Sequence, residues 1–193
     1  MGEIITMVIS ALFVSNIILS SFLGICPFLG ISKKPSNAIG MGFALIFVVT
    51  MSAIICYGIE RLILQPLGLD YLQLIVFILV IASFVQLVEF FMKKYMKGLY
   101  KALGIYLPLI TTNCVVLQVC LDLVSREYNL LQTLVYSVSV SVGYMIVIVI
   151  FSHIRTRLDN SQNMPKAFKG NAIALITAGL MAMAFMAFSG FSF

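Results

Sequence analysis

Cys26 and Cys114 are the residues best suited to chemistry in this chain of 193 residues. Each lies where glycine and proline interrupt a long apolar run, in the stretches FLGICPFLG (22–30) and GIYLPLITTNC (104–114). Thiolates are soft ligands that bind iron–sulfur clusters, copper or zinc. An iron–sulfur cluster usually takes four cysteines, so two thiols at matching positions would form half of a site. The alternative is that both are small apolar side chains, as free cysteines often are.

Cys56 and Cys120 are the remaining cysteines, and both lie outside these two stretches. No two of the four cysteines have CxxC spacing, so spacing alone gives only a weak metal signal. Their apolar surroundings are also inconsistent with a framework of disulfide bonds. We therefore interpret Cys56 and Cys120 as small buried side chains without a chemical role.

The composition identifies the kind of protein that must position these thiols. Hydrophobic residues make up 62% of the chain and charged residues 10%, whereas about a quarter of a typical soluble chain is charged. This leaves too little polar surface for a soluble globular protein, and the chain is too apolar to be disordered. Outer-membrane barrels use strands of roughly 10 alternating residues, which the longer continuous runs here do not match. We expect an all-α membrane protein that forms one integral domain over residues 1–193.

Six uncharged runs of 18 to 29 residues are candidates for transmembrane helices, which need roughly 20 apolar residues each. The six runs divide into two triplets of opposite orientation, an arrangement that transporters use as an inverted repeat. We place the first three-helix repeat at about 1–92 and the second at about 99–193. The runs cover residues 4–32, 35–59, 71–88, 102–121, 128–154 and 170–193.

The interruptions fall in the first and fourth segments, which lead the two triplets. Proline removes a backbone hydrogen bond and clashes with the preceding turn, so we expect both helices to be broken there. Non-helical backbone at membrane depth is tolerated only where it is buried in protein or lines a cavity. Each interruption is therefore expected to face protein. Ordinary proline kinks are the alternative interpretation.

The depth of the two thiols in the membrane can be estimated by counting residues. Cys26 lies seven residues before Lys33, which is about 10 Å of helix. Cys114 lies eight residues before Asp122, which is about 12 Å. Both thiols would then lie near the midplane of a ~30 Å hydrocarbon core, reached from opposite sides.

The loop charges predict the orientation of the chain. Loops 1, 3 and 5 carry ten of the twelve basic residues, and the positive-inside rule makes these loops cytoplasmic. Both termini and loops 2 and 4 would lie outside the inner membrane of a bacterium or archaeon. Because the charges are divided among three short loops, we expect contacts with membrane lipid and no nucleic-acid binding. The ten residues are Lys33, Lys34, Lys93, Lys94, Lys97, Lys101, Arg155, Arg157, Lys166 and Lys169.

Several other polar residues have two interpretations each. Glu89 precedes Lys93 by four residues, so it is either one partner of a surface ion pair or a carboxylate on an ion path. Asp122 has the same two interpretations. The polar residues 111–113, beside Cys114, either donate hydrogen bonds to a bound sulfur or satisfy backbone groups freed by the interruption.

Three stretches of the chain resemble the family of A subunits of the Rnf electron-transport complex. They are FLGICPFLG (22–30), LPLITTNC (107–114) and GNAIALITAGL (170–180). The E subunit of the sodium-translocating NADH:quinone reductase is a more distant likeness. The resemblance extends over essentially the whole chain, including its length, its six segments and its loop charges.

The resemblance implies both a cofactor and a partner. Members of that family pair with a homologous membrane protein of opposite orientation, the Rnf E subunit, and each of the two supplies two cysteines to one intramembrane [2Fe–2S] cluster. The corresponding ligands in this chain are Cys26 and Cys114, while Cys56 and Cys120 inherit no role. The complex, which also contains the B, C, D and G subunits, couples electron transfer between ferredoxin and NAD to the movement of sodium ions or protons. The chain is then one component of a redox-driven translocase and is inactive alone.

Two other functions stay open on the residues alone. A small secondary transporter would use the broken helices as a substrate site, and its cysteines would be replaceable. A purely structural scaffold would also tolerate replacement of Cys26 or Cys114. Loss of a cluster on substitution of either cysteine would separate the redox protein from both alternatives.

Overall fold

The computed structural model describes residues 2–11, 23–32, 35–64, 66, 70–95, 109–110, 113–126, 128–160 and 170–189. Within these residues the regular structure is helical, and none of them forms a β-strand. A π-helical turn follows the third helix at Glu60–Leu64, and a 3-10 turn precedes the fourth at Asp70–Leu72. The α-helices are α1 (Gly2–Ile9), α2 (Ile25–Ile31), α3 (Pro35–Ile59), α4 (Gln73–Tyr95), α5 (Cys114–Ser125), α6 (Leu130–Asp159) and α7 (Asn171–Ser189).

Three of the described helices are long and apolar enough to cross a membrane. They are Pro35–Leu64, which joins α3 to its π-helical turn, together with α4 and α6. These helices coincide with the second, third and fifth predicted segments, so they agree with the predicted all-helical membrane protein. The helices α5 and α7 are apolar but shorter. The six-segment inverted repeat stays a prediction, because residues 12–22 and 96–108 lie outside the described residues.

Helices α3 and α6 pack against each other more extensively than any other described pair. Gly42 makes this close approach possible, because a Cβ atom there would lie only 2.5 Å from Cγ of Met145. The α6 helix also buries several hydroxyl groups. Ser139 and Ser141 each donate to the carbonyl oxygen four residues earlier, at 2.7 Å, so the buried hydroxyls are satisfied within their own helix.

The α4 helix shows most of its apolar side chains at the surface. Phe77, Ile81 and Val85, each four residues apart, are the buried stripe. Leu79 and Phe90 are among the exposed apolar residues, which suits contact with lipid or with another membrane protein. Glu89 lies half-buried on the same helix. Its pairing with Lys93 stays a prediction.

The observed end of α6 corrects the assignment of one basic residue, Arg155, to a loop. The predicted segment ended at residue 154, but α6 continues to Asp159. Arg155 therefore lies within the helix, and its side chain is only 2% exposed. Its assignment to a loop is wrong, and the cytoplasmic side of this helix end stays a prediction. A guanidinium tolerates such burial when oxygen acceptors surround it, and those acceptors come from two other elements of the chain.

Candidate functional site

Cys26 lies in a turn that starts α2. Gly24 precedes the helix with φ of 82°, a left-handed conformation that costs a residue with a Cβ atom about 1–2 kcal/mol. The amide of Phe28 donates to the carbonyl oxygen of Gly24 at 3.3 Å, which closes the first turn. Cys26 itself is exposed at the surface of the chain. The left-handed turn therefore presents a thiol outward at the beginning of a short helix.

Cys114 occupies the corresponding place in the second interruption, as the first residue of α5. Asn113 caps this helix, because its Oδ1 accepts a hydrogen bond from the amide of Val115 at 3.1 Å. Cys114 is exposed, whereas Asn113 is 4% exposed. Cys114 is therefore an exposed thiol at the start of a capped helix, and thiols are soft metal ligands.

The two interruptions meet in the folded chain. A Cβ atom on Gly24 would lie 2.7 Å from Cγ2 of Val115 and 3.2 Å from Oδ1 of Asn113. Gly24 is two residues from Cys26, and both Asn113 and Val115 adjoin Cys114. The structure thus brings the two predicted ligand turns into contact and leaves both thiols exposed. Gly24 and Asn113 are buried against each other, but Cys26 and Cys114 are exposed, so the expectation that the interruptions face protein stays a prediction. Residues 111–112 lie outside the described residues.

Tyr144 of α6 completes the contact from a third element. Its side chain is 2% exposed, and its hydroxyl donates to the carbonyl oxygen of Gly24 at 3.5 Å. The hydroxyl also lies within electrostatic reach of Asn113 and Cys26. Nδ2 of Asn113 is buried and forms no hydrogen bond of regular geometry with a described residue. This amide nevertheless interacts with the Tyr144 hydroxyl, beside the two cysteine turns.

The same face of α6 continues along α2. Phe151 stacks on Phe28 with ring centroids 4.1 Å apart. Ser152 donates from its hydroxyl to the carbonyl oxygen of Ser32, at 2.9 Å, just beyond the end of α2. Phe151 and Ser152 follow Tyr144 by seven and eight residues, which places the three on one side of a helix. This face of α6 is therefore the support on which the short Cys26 helix lies.

The other two cysteines occupy a different place. Cys56 on α3 and Cys120 on α5 are buried, each 1% exposed. Their thiols are hydrogen-bonding partners inside the contact between the two helices. In the described residues, no three or more His, Cys, Asp or Glu side chains lie close enough together to hold a metal ion. The prediction that Cys56 and Cys120 are buried small side chains is confirmed.

Asp122 lies at the far end of α5, near a cavity of about 410 Å³. Its Oδ1 accepts from Nε2 of Gln118 at 2.9 Å, and its Oδ2 accepts from the hydroxyl of Tyr136 at 3.1 Å. Arg126 lines the cavity and donates to the Tyr128 hydroxyl at 3.3 Å, which raises the pKa of its guanidinium. Both oxygens of Asp122 are thus held by neighbouring side chains, an arrangement that fixes α5 to α6.

Comparison with known proteins decides the family. A family model described as "Rnf-Nqr subunit, membrane protein" matches residues 4–192. The chain belongs to the Rnf-Nqr family. It is 54% identical over 187 residues to the A subunit of the Na⁺-translocating ferredoxin:NAD⁺ oxidoreductase complex of Acetobacterium woodii, covering 97% of each chain. It is 49% and 45% identical over 190 residues to the A subunits of the ion-translocating oxidoreductase complexes of Glaesserella parasuis and Vibrio cholerae, covering 98% of each chain.

The Rnf-Nqr match confirms the resemblance drawn from the three motifs, which all fall within the matched residues. Two residues of this site were not predicted from the sequence. Tyr144 lies inside an uninterrupted apolar segment, where nothing local distinguishes it from a core tyrosine. Arg155 was counted only for its charge. The pattern that could have identified both residues is the recurrence of polar groups, Tyr144, Ser152 and Arg155, at helical intervals along one segment.

Proposed function

We propose that this chain is the A-type membrane component of a redox-driven ion pump that transfers electrons between ferredoxin and NAD. Its full-length similarity to proteins with the names given above supports this assignment. The pump would move sodium ions or protons, and the chain would work only within the assembled complex. Its partners would be a homologous E subunit of opposite orientation and the B, C, D and G subunits.

Within that complex, Cys26 and Cys114 would supply two ligands to one [2Fe–2S] cluster. The observation that supports this proposal is the contact between Gly24 and Asn113, which brings together the two turns that carry the exposed thiols of Cys26 and Cys114. Clusters of this kind usually need four cysteines, so the E subunit would supply the other two. When bound, the cluster would carry single electrons between the flavin and iron–sulfur proteins on the two sides of the membrane.

The residues around the two thiols suit a rigid and dry site. Gly24 allows the two turns to touch, and the buried side chains of Val115 and Phe28 exclude water behind them. The buried amide of Asn113 lies next to Cys114 in the chain, and amides of this kind hydrogen-bond to ligating sulfurs. Its Oδ1 caps α5, which supports the interpretation that the polar stretch satisfies backbone groups freed by the interruption.

The proposal includes the topology. The chain would span the membrane six times as two inverted triplets, residues 1–92 and 99–193, with its first and fourth helices broken at the cysteines. Both termini would lie outside and loops 1, 3 and 5 in the cytoplasm. Arg155 is removed from the loop count, and the remaining nine of the twelve basic residues keep the same bias toward these loops.

The direct test is chemical analysis of the purified complex. Cys26→Ser and Cys114→Ser should each remove two iron atoms and two acid-labile sulfides per complex, together with one EPR signal of the reduced protein. Cys56→Ser and Cys120→Ser are the matched controls and should retain both. Full iron and sulfide content in both Cys26→Ser and Cys114→Ser would reject the ligand assignment. Solute transport by those variants would favour the secondary transporter.

A further inference from the structure

Arg155 is a buried cation in an apolar helix, and it is held almost entirely by neutral oxygens. Its Nη1 donates to the carbonyl oxygen of Leu29 at 2.6 Å and to Oγ of Ser32 at 2.7 Å. Its Nη2 donates to Oδ1 of Asn171 at 3.1 Å. Asp159 is 47% exposed, and its Oδ2 lies 4.0 Å from Nε, which forms no hydrogen bond with a described residue. Among the described residues, the positive charge is therefore buried mainly against neutral oxygens, and its ion pair with the half-exposed Asp159 is long, at 4.0 Å.

Burial of such a charge is unfavourable for stability, so we expect the residue to have another role. Taking a guanidinium out of water carries a large desolvation penalty, and apolar residues often replace buried ionic groups without loss of stability. An ionisable residue inside a membrane segment is for that reason a candidate functional residue. The groups that Arg155 contacts indicate which function it has.

Arg155 binds the end of the helix that carries Cys26. The last carbonyl groups of a helix have no partner within it, and α2, with seven residues, is too short to be stable alone. Arg155 satisfies the carbonyl of Leu29, and Ser152 satisfies that of Ser32. Through Asn171 the same guanidinium also fixes the start of α7. Three elements therefore converge on one side chain, about one helical turn from Cys26.

We infer that Arg155 is the positioning residue for Cys26 and the fixed positive charge that favours electron uptake at the site. The first role concerns only this chain, and the second rests on the proposed function. A charge near a buried redox centre is weakly screened, and a positive one stabilises the form that has gained an electron. Removal of the charge lowers the reduction potential, and removal of the hydrogen bonds loosens α2.

The electrostatic role is tested by redox titration of the EPR signal in the whole complex. Arg155→Gln should lower the equilibrium constant for reduction about tenfold, which is about 59 mV for a one-electron couple. Arg155→Lys keeps the charge and should stay within about threefold of the wild type. Arg157→Gln is the matched control, because Arg157 is an exposed residue of the same helix. An unchanged potential in Arg155→Gln overturns the electrostatic role.

The positioning role is tested without the cofactor, on the full chain expressed in membranes that lack the rest of the complex. The rates at which a membrane-permeant maleimide modifies Cys26 and Cys114 are compared by mass spectrometry of the labelled peptides. Arg155→Gln should change the ratio of the two rates about tenfold, because hydrogen bonds to a charged donor are lost from α2, which carries Cys26, and not from α5, which carries Cys114. Arg155→Lys should show an intermediate change, and Arg157→Gln should show none. An unchanged ratio in Arg155→Gln overturns the positioning role.

If Arg155→Gln fails to fold, a milder variant tests the positioning role. Asn171→Ala removes one acceptor at an exposed residue and keeps the guanidinium and its bonds to α2. It should shift the labelling ratio in the same direction by a smaller factor, and a wild-type ratio contradicts the proposal. If the wild-type complex has no cluster signal, the proposed function fails while the labelling experiment still measures the positioning role.

Discussion

The hydroxyl of Tyr144 lies 3.5 Å from the carbonyl oxygen of Gly24, although 120 residues separate them along the chain. This hydrogen bond joins the long α6 helix to the turn that begins the Cys26 helix. Because Gly24 also touches Asn113, the bond lies where both cysteine turns and α6 meet. Substitution of each residue at this junction should therefore have a distinct and measurable effect.

Gly24→Ala should destabilise the chain by about 2–4 kcal/mol, through its left-handed φ and the clash with Val115. Two other glycines separate the effect of the left-handed φ from the effect of the clash. Gly170 has φ of 99° in open space, so Gly170→Ala should cost about 1–2 kcal/mol. Gly179 lies in α7 with open space around it, so Gly179→Ala should cost nothing. Denaturation of the solubilised chain in SDS measures all three, and a loss for Gly24→Ala no larger than for Gly170→Ala would contradict the packed junction.

Asn113→Ala should reduce stability by about 1 kcal/mol, because the amide of Val115 loses the oxygen that caps α5. Asn113→Ser keeps an oxygen acceptor at the cap and should retain most of the wild-type stability. The same denaturation experiment compares the two variants. Equal losses in both would show that Asn113 contributes through something other than the cap.

Tyr144→Phe should reduce stability by about 1 kcal/mol, since it removes the hydroxyl that donates to Gly24 and keeps the buried ring. Tyr71→Phe is the control, because Tyr71 is 95% exposed and its hydroxyl is open to solvent. Hydrogen exchange of the amides near Gly24 should also accelerate in Tyr144→Phe alone. If neither stability nor hydrogen exchange changes in Tyr144→Phe, Tyr144 does not contribute to the junction.

Asp122→Asn should leave ion transport by the complex within about twofold of wild type, because an amide oxygen still accepts a hydrogen bond from Tyr136. This outcome follows from the structural role that its two hydrogen bonds indicate. Transport assays in vesicles that contain the assembled complex measure it. A loss of transport with normal electron transfer would instead place Asp122 on an ion path.

The long helices could be predicted well from the sequence, because length and lack of charge alone define them. The predicted segment 35–59 has the same bounds as α3, and segment 128–154 overlaps almost all of α6. The two candidate ligand cysteines were also visible, since the repeated association of glycine, proline and cysteine is a local pattern. Their exposure, in contrast to buried Cys56 and Cys120, is consistent with that choice.

The residues that support the site could not be predicted in the same way. The sequence places Arg155 in a loop because the uncharged run ends at Ile154, and only the folded chain reveals its acceptors at Leu29 and Asn171. Contacts between residues more than 100 positions apart depend on how α6 packs, which composition and spacing do not encode. The contact of Gly24 with Tyr144 is of this kind.

A cryo-electron microscopy map of the assembled complex tests the proposed cluster site most directly. We predict a compact density for two iron and two sulfur atoms, bridging Cys26 and Cys114 of this chain to two cysteines of its inverted partner. Arg155 should lie behind α2 with its contacts to Leu29 and Ser32 intact. A map in which the sulfurs of Cys26 and Cys114 lie far apart and face lipid, with no density between them, would contradict the proposed electron relay.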